Sequence, residues 1–326
     1  MHEIKYSVIG TSWITNSFIE GAKTVEGLVL DGVYSRSEEK GKAFAQAVGA
    51  LRVFNSIEEV ADSDTDFVYV ASPNSCHYEQ CKFLLENGKS VICEKPITVT
   101  SEEFSKLFFL AEENNVRYFE AIMYMHTNTR YALKQAIQEI GNISSAHLDY
   151  SQLSSKYDLL LAGMLPNIFN PELKTGALND LGIYCVYPAI DLFGEPQSVV
   201  GLQNFLFTGA DGAGSAILKY KDKVVTLTYS KTAESRAPSQ IIGDNGAVTI
   251  DSVSQLHGIN CYNKKGDIID VLSAEDKISL MANEARSMYN FITDFEHNKG
   301  LYYECAAMSQ KVLHCMEKMR TENGTE

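Results

Sequence analysis

Short apolar runs alternate with amphipathic segments over the first third of the chain, and this alternation predicts strands that are each followed by a helix. Strands are predicted at 4–10, 28–35, 52–54, 67–71, 90–93 and 116–124, with helices at 14–24, 38–48, 56–61, 76–87 and 100–114. The run 67–71 is continuously apolar, as expected for a strand buried on both faces. Such βαβ units indicate that residues 1–120 form a doubly wound, Rossmann-type α/β domain with a parallel sheet.

The pattern changes after residue 120, where predicted strands follow one another directly. Helices are predicted at 130–140, 181–193, 283–297 and 303–320, and strands at 143–151, 198–207, 214–220, 223–230, 240–243, 247–251 and 258–263. Turn sequences such as Asp244-Asn245-Gly246 separate the later strands. The stretch 154–175 is predicted to be a long irregular loop. Residues 121–326 are therefore predicted to form an α+β domain with a large open, mostly antiparallel sheet.

The composition argues against several classes of function. Lys and Arg number 28 and Asp and Glu 42, a net charge of −14, which disfavours binding to nucleic acid. No apolar run is long enough to span a membrane, and the N-terminus lacks the pattern of a signal peptide. The seven cysteines are scattered without a Cys-x-x-Cys motif, so reduced thiols, no metal site and a cytoplasmic location are expected.

A degraded dinucleotide-binding turn follows the first predicted strand, with the sequence Gly10, Thr11, Ser12, Trp13, Ile14. The usual pattern at such a turn is G-x-G-x-x-G, whose glycines let the backbone approach a pyrophosphate at a helix N-terminus. Here only Gly10 remains, Ser12 replaces the second glycine and Thr15 the third. The position in the first βαβ unit favours cofactor binding by residues 10–14. The alternative is that Gly10 merely forms a turn.

The end of the second predicted strand favours NADP over NAD. Sites for NAD carry an acid there that binds the ribose 2′-OH, whereas sites for NADP carry an arginine for the 2′-phosphate. Ser35 takes the position of the acid, Arg36 follows it, and Lys40 lies one helical turn further on. All three are predicted to contact the cofactor. The alternative is that Arg36 and Lys40 are ordinary solvated charges.

Three further segments carry a family resemblance. They are Ser72-Pro73-Asn74 with His77, then Glu94-Lys95-Pro96, then Gly176-Ala177-Leu178-Asn179-Asp180 with Tyr184. Together they resemble the glucose–fructose oxidoreductase, inositol dehydrogenase and rhizopine-catabolism (Gfo/Idh/MocA) family over essentially the whole chain. Within it, the sequence is most similar to the branch of dimeric dihydrodiol dehydrogenase and the NADP-dependent xylose dehydrogenases. In place of the family's frequent Gly-Gly-Gly stands Lys174-Thr175-Gly176.

The resemblance implies roles for these residues. Lys95, Asp180 and Tyr184 would be catalytic, and further cofactor contacts would come from Ser72, Pro73, Asn74, His77, Glu94 and Lys95. Chemically, the Lys95 ammonium can favour ionisation of the Tyr184 phenol, which then exchanges the hydroxyl proton of the substrate. Asp180 can orient the substrate or Lys95. The alternatives are that Lys95 is a surface lysine and that Asp180 caps a helix. Likewise, Tyr184 would be a half-buried core residue and His77 would bond only to the backbone.

These observations predict an oxidoreductase that transfers a hydride between a nicotinamide cofactor and a sugar, polyol or related small hydroxy or carbonyl compound. NADP is the favoured cofactor and NAD the alternative. Lys156, Tyr157 and Asn167 of the long loop are candidates for the substrate pocket. A homodimer or higher oligomer through the C-terminal sheet is expected. The alternative functions are a catalytically silent NAD(P)-binding sensor or regulatory protein, and a scaffold that binds no dinucleotide.

Overall fold

The computed structural model describes residues 3–321, which form two compact units. The first unit runs to His126 and also contains Asp276–Gln310. The second contains Thr127–Glu275 and the described residues from Lys311 to Thr321. The sequence analysis assigned everything after residue 120 to one domain, whereas the contacts group most of the last two helices with the first sheet.

The two units contain fourteen strands and eleven α-helices within residues 3–321. The strands are β1 (Ile4–Ile9), β2 (Leu28–Tyr34), β3 (Arg52–Phe54), β4 (Phe67–Val70), β5 (Ser90–Glu94), β6 (Tyr118–Ala121), β7 (Ile143–Ser151), β8 (Ser198–Phe205), β9 (Asp211–Lys219), β10 (Val224–Ser230), β11 (Ser239–Gly243), β12 (Gly246–Ser252), β13 (His257–Asn263) and β14 (Ile268–Leu272). The helices are α1 (Trp13–Ala22), α2 (Glu38–Val48), α3 (Ile57–Ala61), α4 (Asn74–Glu86), α5 (Ser101–Glu113), α6 (Met123–His126), α7 (Asn128–Glu139), α8 (Tyr157–Leu161), α9 (Ile183–Phe193), α10 (Lys277–Thr293) and α11 (Phe295–Thr321).

The first unit is a doubly wound parallel sheet, which confirms the predicted fold class. Its six strands lie in the order β3-β2-β1-β4-β5-β6, and every neighbouring pair is parallel. The strand order changes direction between β1 and β4. In open α/β sheets, ligands bind beyond the carboxyl ends of the strands at such a point.

Local sequence signals set several boundaries in this unit. Thr100 and Glu103 form the predicted capping box, in which Glu103 N donates to Thr100 Oγ1 at 3.1 Å. All four residues of β4 are buried, as its apolar run predicts. The strand predicted at 116–124 is shorter, because Met123–His126 form a helical turn.

Helix α10 packs along α1 and so belongs to the first unit. The two helices approach closely at Gly21, where an added Cβ would lie 2.6 Å from Ala282 N. The helix begins at Lys277, six residues before the predicted start. Asp276 caps it, since Ser279 N donates to its carboxylate at 3.0 Å. The buried Leu280 and Met281 lie before residue 283, so the apolar face of the helix begins earlier than the prediction placed it.

The second unit contains an open sheet of eight strands in the order β14-β13-β12-β11-β7-β10-β9-β8. All neighbouring pairs are antiparallel except β7 and β10, which are parallel. The predicted large, mostly antiparallel sheet is therefore confirmed. A buried ion pair joins two helices beside it. Arg130 of α7 and Asp191 of α9 contact through two hydrogen bonds of 2.6 and 2.7 Å, and Lys134 also reaches Asp191.

One face of this sheet exposes apolar side chains in register. Val200 lies opposite Ile217, and Ile217 lies opposite Thr226, so the three form a row across β8, β9 and β10. Leu202 lies two residues from Val200 on the same face and is 62% exposed. We call this surface, formed by Val200, Leu202, Ile217, Val224 and Thr226, the open sheet face.

Strand β14 was not predicted. It pairs with β13 and forms one edge of the sheet. Ile268, Ile269 and Val271 are each more than half exposed, and Asp270 lies between them. Its apolar residues are adjacent instead of alternating, so the sequence lacks the period-two pattern of a half-buried strand.

Candidate active site

The first βα turn is built around one glycine. Gly10 follows β1 with φ +105°, and a Cβ there would lie 2.5 Å from the carbonyl oxygen of Ala71. Its N–H donates to Tyr34 O at 3.0 Å. Because an L side chain is strained at this φ and would clash with the end of β4, only glycine fits the turn. The loss of the later glycines leaves this tight turn intact.

The N-terminus of α1, which follows this turn, has no side-chain cap. Ser12 occupies the N-cap position, but its hydroxyl lies 3.2 Å from Thr15 Oγ1 and bonds no N–H of the first turn. The first turn of α1 contains no acidic residue. Trp13 is 68% exposed, Thr11 is half-buried, and Ile14 packs against the core. Free N–H groups and an exposed hydroxyl fit the phosphate groups of a dinucleotide.

Two unpaired cations follow β2. Arg36 and Lys40 are exposed, and neither forms an ion pair with any residue in 3–321. Ser35 Oγ is half-buried and accepts a hydrogen bond from Ser37 N at 3.4 Å. The nearest acid within the strand, Asp31, is buried and its carboxylate is bound by Arg52 at 2.8 Å. This end of β2 therefore offers two cations, and Ser35 stands at the position where NAD sites carry their acid.

His77 connects the loops that follow β4 and β5. It is 1% exposed, and its two ring nitrogens each lie 2.9 Å from a carbonyl oxygen, Nδ1 from Pro96 O and Nε2 from Ser72 O. Burial lowers the pKa of the imidazole. This is the backbone-bonded arrangement that the sequence left open, and a cofactor contact by His77 stays a prediction. In the same loop, Ser72 Oγ donates to Gln80 Oε1 at 2.6 Å, and α4 begins at Asn74, after Pro73.

The Glu-Lys-Pro segment ends β5. Glu94 accepts hydrogen bonds from the Tyr69 hydroxyl and, at 3.2 Å, from Lys95 N. Desolvation raises the pKa of Glu94, against the effect of the Tyr69 bond and the Lys95 charge. Lys95 is half-buried, and the Lys95–Pro96 peptide bond is cis. The segment thus brings an ammonium and a desolvated carboxyl to the carboxyl end of the sheet.

Helix α10 contributes two ionisable residues, Lys277 and Glu284, that the sequence analysis did not predict. Lys277 Nζ lies 3.9 Å from the centroid of the Trp13 ring. Glu284 is 1% exposed, its Oε2 has no hydrogen-bond partner among the described residues, and burial and the charge of Glu94 raise its pKa. Neither residue is part of a recognisable motif. The only signal for Lys277 is its position next to a helix cap.

In the second unit, Asp180 is bound by a buried lysine. Asp180 lies in a π-helical turn over 178–182 that precedes α9. Its Oδ2 is 2.8 Å from Nζ of Lys231, whose side chain is only 3% exposed. The same Nζ donates to Ile168 O at 3.0 Å. Lys231 was not predicted to be a site residue, although a lysine directly after the apolar strand β10 is a signal that could have identified it.

Tyr184 lies in the first turn of α9. It is half-buried, and its ring packs edge-on against Tyr150 of β7 at a centroid distance of 5.5 Å. The sequence predicted Asp180 and Tyr184 on one face of a regular helix. The wider π turn changes that spacing, because its hydrogen bonds span five residues instead of four. Lys95 belongs to the first unit, whereas Asp180 and Tyr184 belong to the second.

The predicted irregular loop contains short ordered turns. Residues Tyr157–Leu161 form α8, and two 3-10 turns follow at Asn167–Phe169 and Pro171–Leu173. Lys156 and Asn167 are exposed, whereas Tyr157 is half-buried against Phe169. Gly176, at the end of the loop, has φ +143°, and a Cβ would collide with Asp211 Oδ1. The one glycine kept from the family's triplet is therefore sterically required.

Within residues 3–321, no group of three or more His, Cys, Asp or Glu side chains is placed to hold a metal ion. No helix in that part of the chain is both long and apolar enough to cross a membrane.

Two protein-family models match the chain. Residues 4–122 match the oxidoreductase family with an NAD-binding Rossmann fold, and residues 131–249 match the GFO/IDH/MocA C-terminal domain.

Individual relatives agree with these matches. The scyllo-inositol 2-dehydrogenase (NADP(+)) IolU of Bacillus subtilis (strain 168) is 36% identical over 91% of this chain and 89% of its own. The trans-1,2-dihydrobenzene-1,2-diol dehydrogenase of Xenopus laevis is 31% identical over 76% of this chain and 75% of its own. The 3-ketoreductase KijD10 of Actinomadura kijaniata, solved with NADP and TDP-benzene, has the same fold, with a TM-score of 0.85 over 98% of both chains at 19% identity.

Proposed function

Because the chain belongs to the Gfo/Idh/MocA family of NAD(P)-dependent oxidoreductases, we propose that it transfers a hydride between NADP and a hydroxyl-bearing carbon of a sugar or polyol. The observation that carries this proposal is the carboxyl edge of the first sheet. There an uncapped α1 follows the Gly10 turn, and the Lys95 ammonium follows β5. A sensor without turnover needs the phosphate-binding turn, whereas an ammonium that favours the phenolate of an acid–base tyrosine serves turnover alone.

NADP is the cofactor that these residues fit best. The backbone of residues 10–14 would bind the pyrophosphate, and Ser35, Arg36 and Lys40 would bind the 2′-phosphate. Further contacts would come from the loops at Ser72-Pro73-Asn74 and Glu94-Lys95, beside His77. The bound nicotinamide would accept or donate the hydride. IolU, whose name specifies NADP(+), supports this choice.

The protein itself must handle the hydroxyl proton. As the substrate carbon loses a hydride, its hydroxyl loses a proton, and Tyr184 is the group we assign to receive it. Lys95 would bind the reacting oxygen and favour the phenolate. Asp180 would orient the substrate, and its bond to Lys231 supports this role because it holds the carboxylate in place.

We also propose that the protein is a homodimer or higher oligomer through the open sheet face. Leu202, Ile217 and Val200 are each about half exposed or more, and they are adjacent across two strands. A contiguous apolar patch of this kind usually marks an interface.

A cofactor and substrate panel tests the function. Aldoses, inositols and other polyols are each incubated with NADP and NAD, and their carbonyl counterparts with the reduced cofactors, while the absorbance of the reduced nicotinamide is followed. We expect turnover with at least one polyhydroxy compound, faster with NADP, and its loss in the Lys95→Met variant. Tight NADP binding without turnover of any substrate would contradict the enzyme and favour the sensor.

A further inference from the structure

Lys277 lies within the dinucleotide edge of the first sheet although no motif marks it. Its ammonium is 3.9 Å from the centroid of the Trp13 ring, and Trp13 is the first residue of α1. Lys277 is also close enough to Glu94, at the end of β5, for that carboxylate to raise the lysine's pKa against the larger lowering by burial. The ammonium thus lies beside the first turn of α1, within electrostatic reach of the end of β5.

This location is fixed by the backbone. Asp276 caps α10, so Lys277 begins the helix at a defined point, and the close contact at Gly21 holds α10 against α1. Within residues 3–321, Lys277 forms no ion pair, whereas Lys299 of the same unit pairs with Glu296 at 2.7 Å. A half-buried ammonium without a carboxylate partner beside an uncapped helix N-terminus attracts an anion.

We propose that Lys277 is a further cofactor ligand, whose ammonium binds the pyrophosphate of NAD(P) beside Trp13. This inference rests on the proposed function. It accounts for the degraded turn: Ser12 stands where the second glycine would allow the closest backbone approach, and a cation from α10 supplies attraction at the same place. The exposed Trp13 ring holds the Lys277 ammonium in position through a cation–π contact.

The test measures dinucleotide affinity instead of activity. Trp13 is the only tryptophan in the sequence, so its fluorescence reports binding at this position. Wild type, Lys277→Met and Lys277→Arg are titrated with NADPH and NADH, and calorimetry provides independent Kd values. The control is Lys299→Met, which removes a lysine of the same unit that is already paired.

We expect Lys277→Met to weaken the binding of NADPH and of NADH by the same factor, about tenfold or more. Both carry the pyrophosphate, so the ratio of their Kd values should not change. Lys277→Arg should keep most of the affinity and Lys299→Met all of it. If wild type binds NADPH and Lys277→Met binds it equally well, the inference is wrong while the proposed function stands. A loss confined to NADPH would also overturn it. If wild type binds neither dinucleotide, the proposed function itself fails.

Discussion

Substitution of Arg36 by alanine should change the choice between the two cofactors. Arg36 and Lys40 follow β2 without ion-pair partners in the described chain, and Asp31 is already bound by Arg52. The site therefore offers cations to the 2′-phosphate of NADP. At the position where NAD sites place an acid for the ribose 2′-OH, it has Ser35.

The size of the effect follows from the exposure of Arg36. A hydrogen bond to a charged group contributes about 1.5–3 kcal/mol, which corresponds to roughly 10- to 150-fold in Kd. Arg36 is solvent-exposed, so screening favours the lower half of that range, about 10- to 40-fold. We expect Arg36→Ala to weaken the binding of NADPH by this factor and the binding of NADH by less than about twofold. The loss should shrink at high ionic strength.

The assay is titration of the Trp13 fluorescence with each reduced cofactor at low and high salt. Lys42→Ala is the matched control, because Lys42 lies on the same helix but pairs with Glu38 at 2.6 Å. That variant should bind both cofactors like wild type. Equal losses for NADPH and NADH in Arg36→Ala would refute the assignment of Arg36 to the 2′-phosphate.

Three further predictions concern chemistry, stability and assembly. Tyr184→Phe should bind NADPH normally but lower kcat by roughly 10²–10⁴, and unchanged turnover would remove Tyr184 from the mechanism. Asp191→Asn should lower the free energy of unfolding by about 3–5 kcal/mol, because it leaves the fully buried Arg130 without its counter-charge. Lys134→Met, at a partner whose side chain is 31% exposed, should cost less than Asp191→Asn in denaturant titrations, and equal losses for the two variants would contradict the burial argument. Leu202→Glu should dissociate the oligomer in light scattering, and a wild type that is monomeric at micromolar concentration would contradict the proposed interface.

The stability prediction also has a pH dependence. Burial alone would raise the pKa of Asp191, but the hydrogen bonds and charges of Arg130 and Lys134 hold it below its usual value. A carboxyl group with a lowered pKa contributes stability above its unfolded pKa of about 4 and loses it as the pH falls through the folded value. The difference in free energy of unfolding between wild type and Asp191→Asn should therefore become smaller below about pH 4.

The sequence predicted the first sheet well because its signals are local. Buried parallel strands such as β4 are continuous apolar runs, and the capping box at Thr100 involves residues only three apart. The cofactor contacts of Gly10, Ser12 and Arg36 are also predicted from position. In this fold, the first βα turn binds the pyrophosphate and the end of β2 binds the ribose.

The missed features depend on contacts between distant segments. Lys231 has a signal in the sequence, since it follows the apolar strand β10, but its contact with Asp180, 51 positions earlier, is visible only in the fold. Lys277 contacts Trp13, which lies near the other end of the chain, and this contact is visible only in the fold. The start of α10 was placed too late, since Asp276 caps the helix and the buried Leu280 and Met281 already belong to its first turns.

Strand β14 has a consequence for how the protein behaves at high concentration. An edge strand presents backbone N–H and C=O groups on one side, and any free strand of another chain can extend the sheet there. Most edge strands are protected by several charges, a proline or a bulge, whereas Ile268, Ile269 and Val271 leave Asp270 as the only charge within this strand. Resistance to aggregation through this edge thus depends on the Asp270 carboxylate. Neutralising Asp270 would leave a strand to which a strand of another chain can pair.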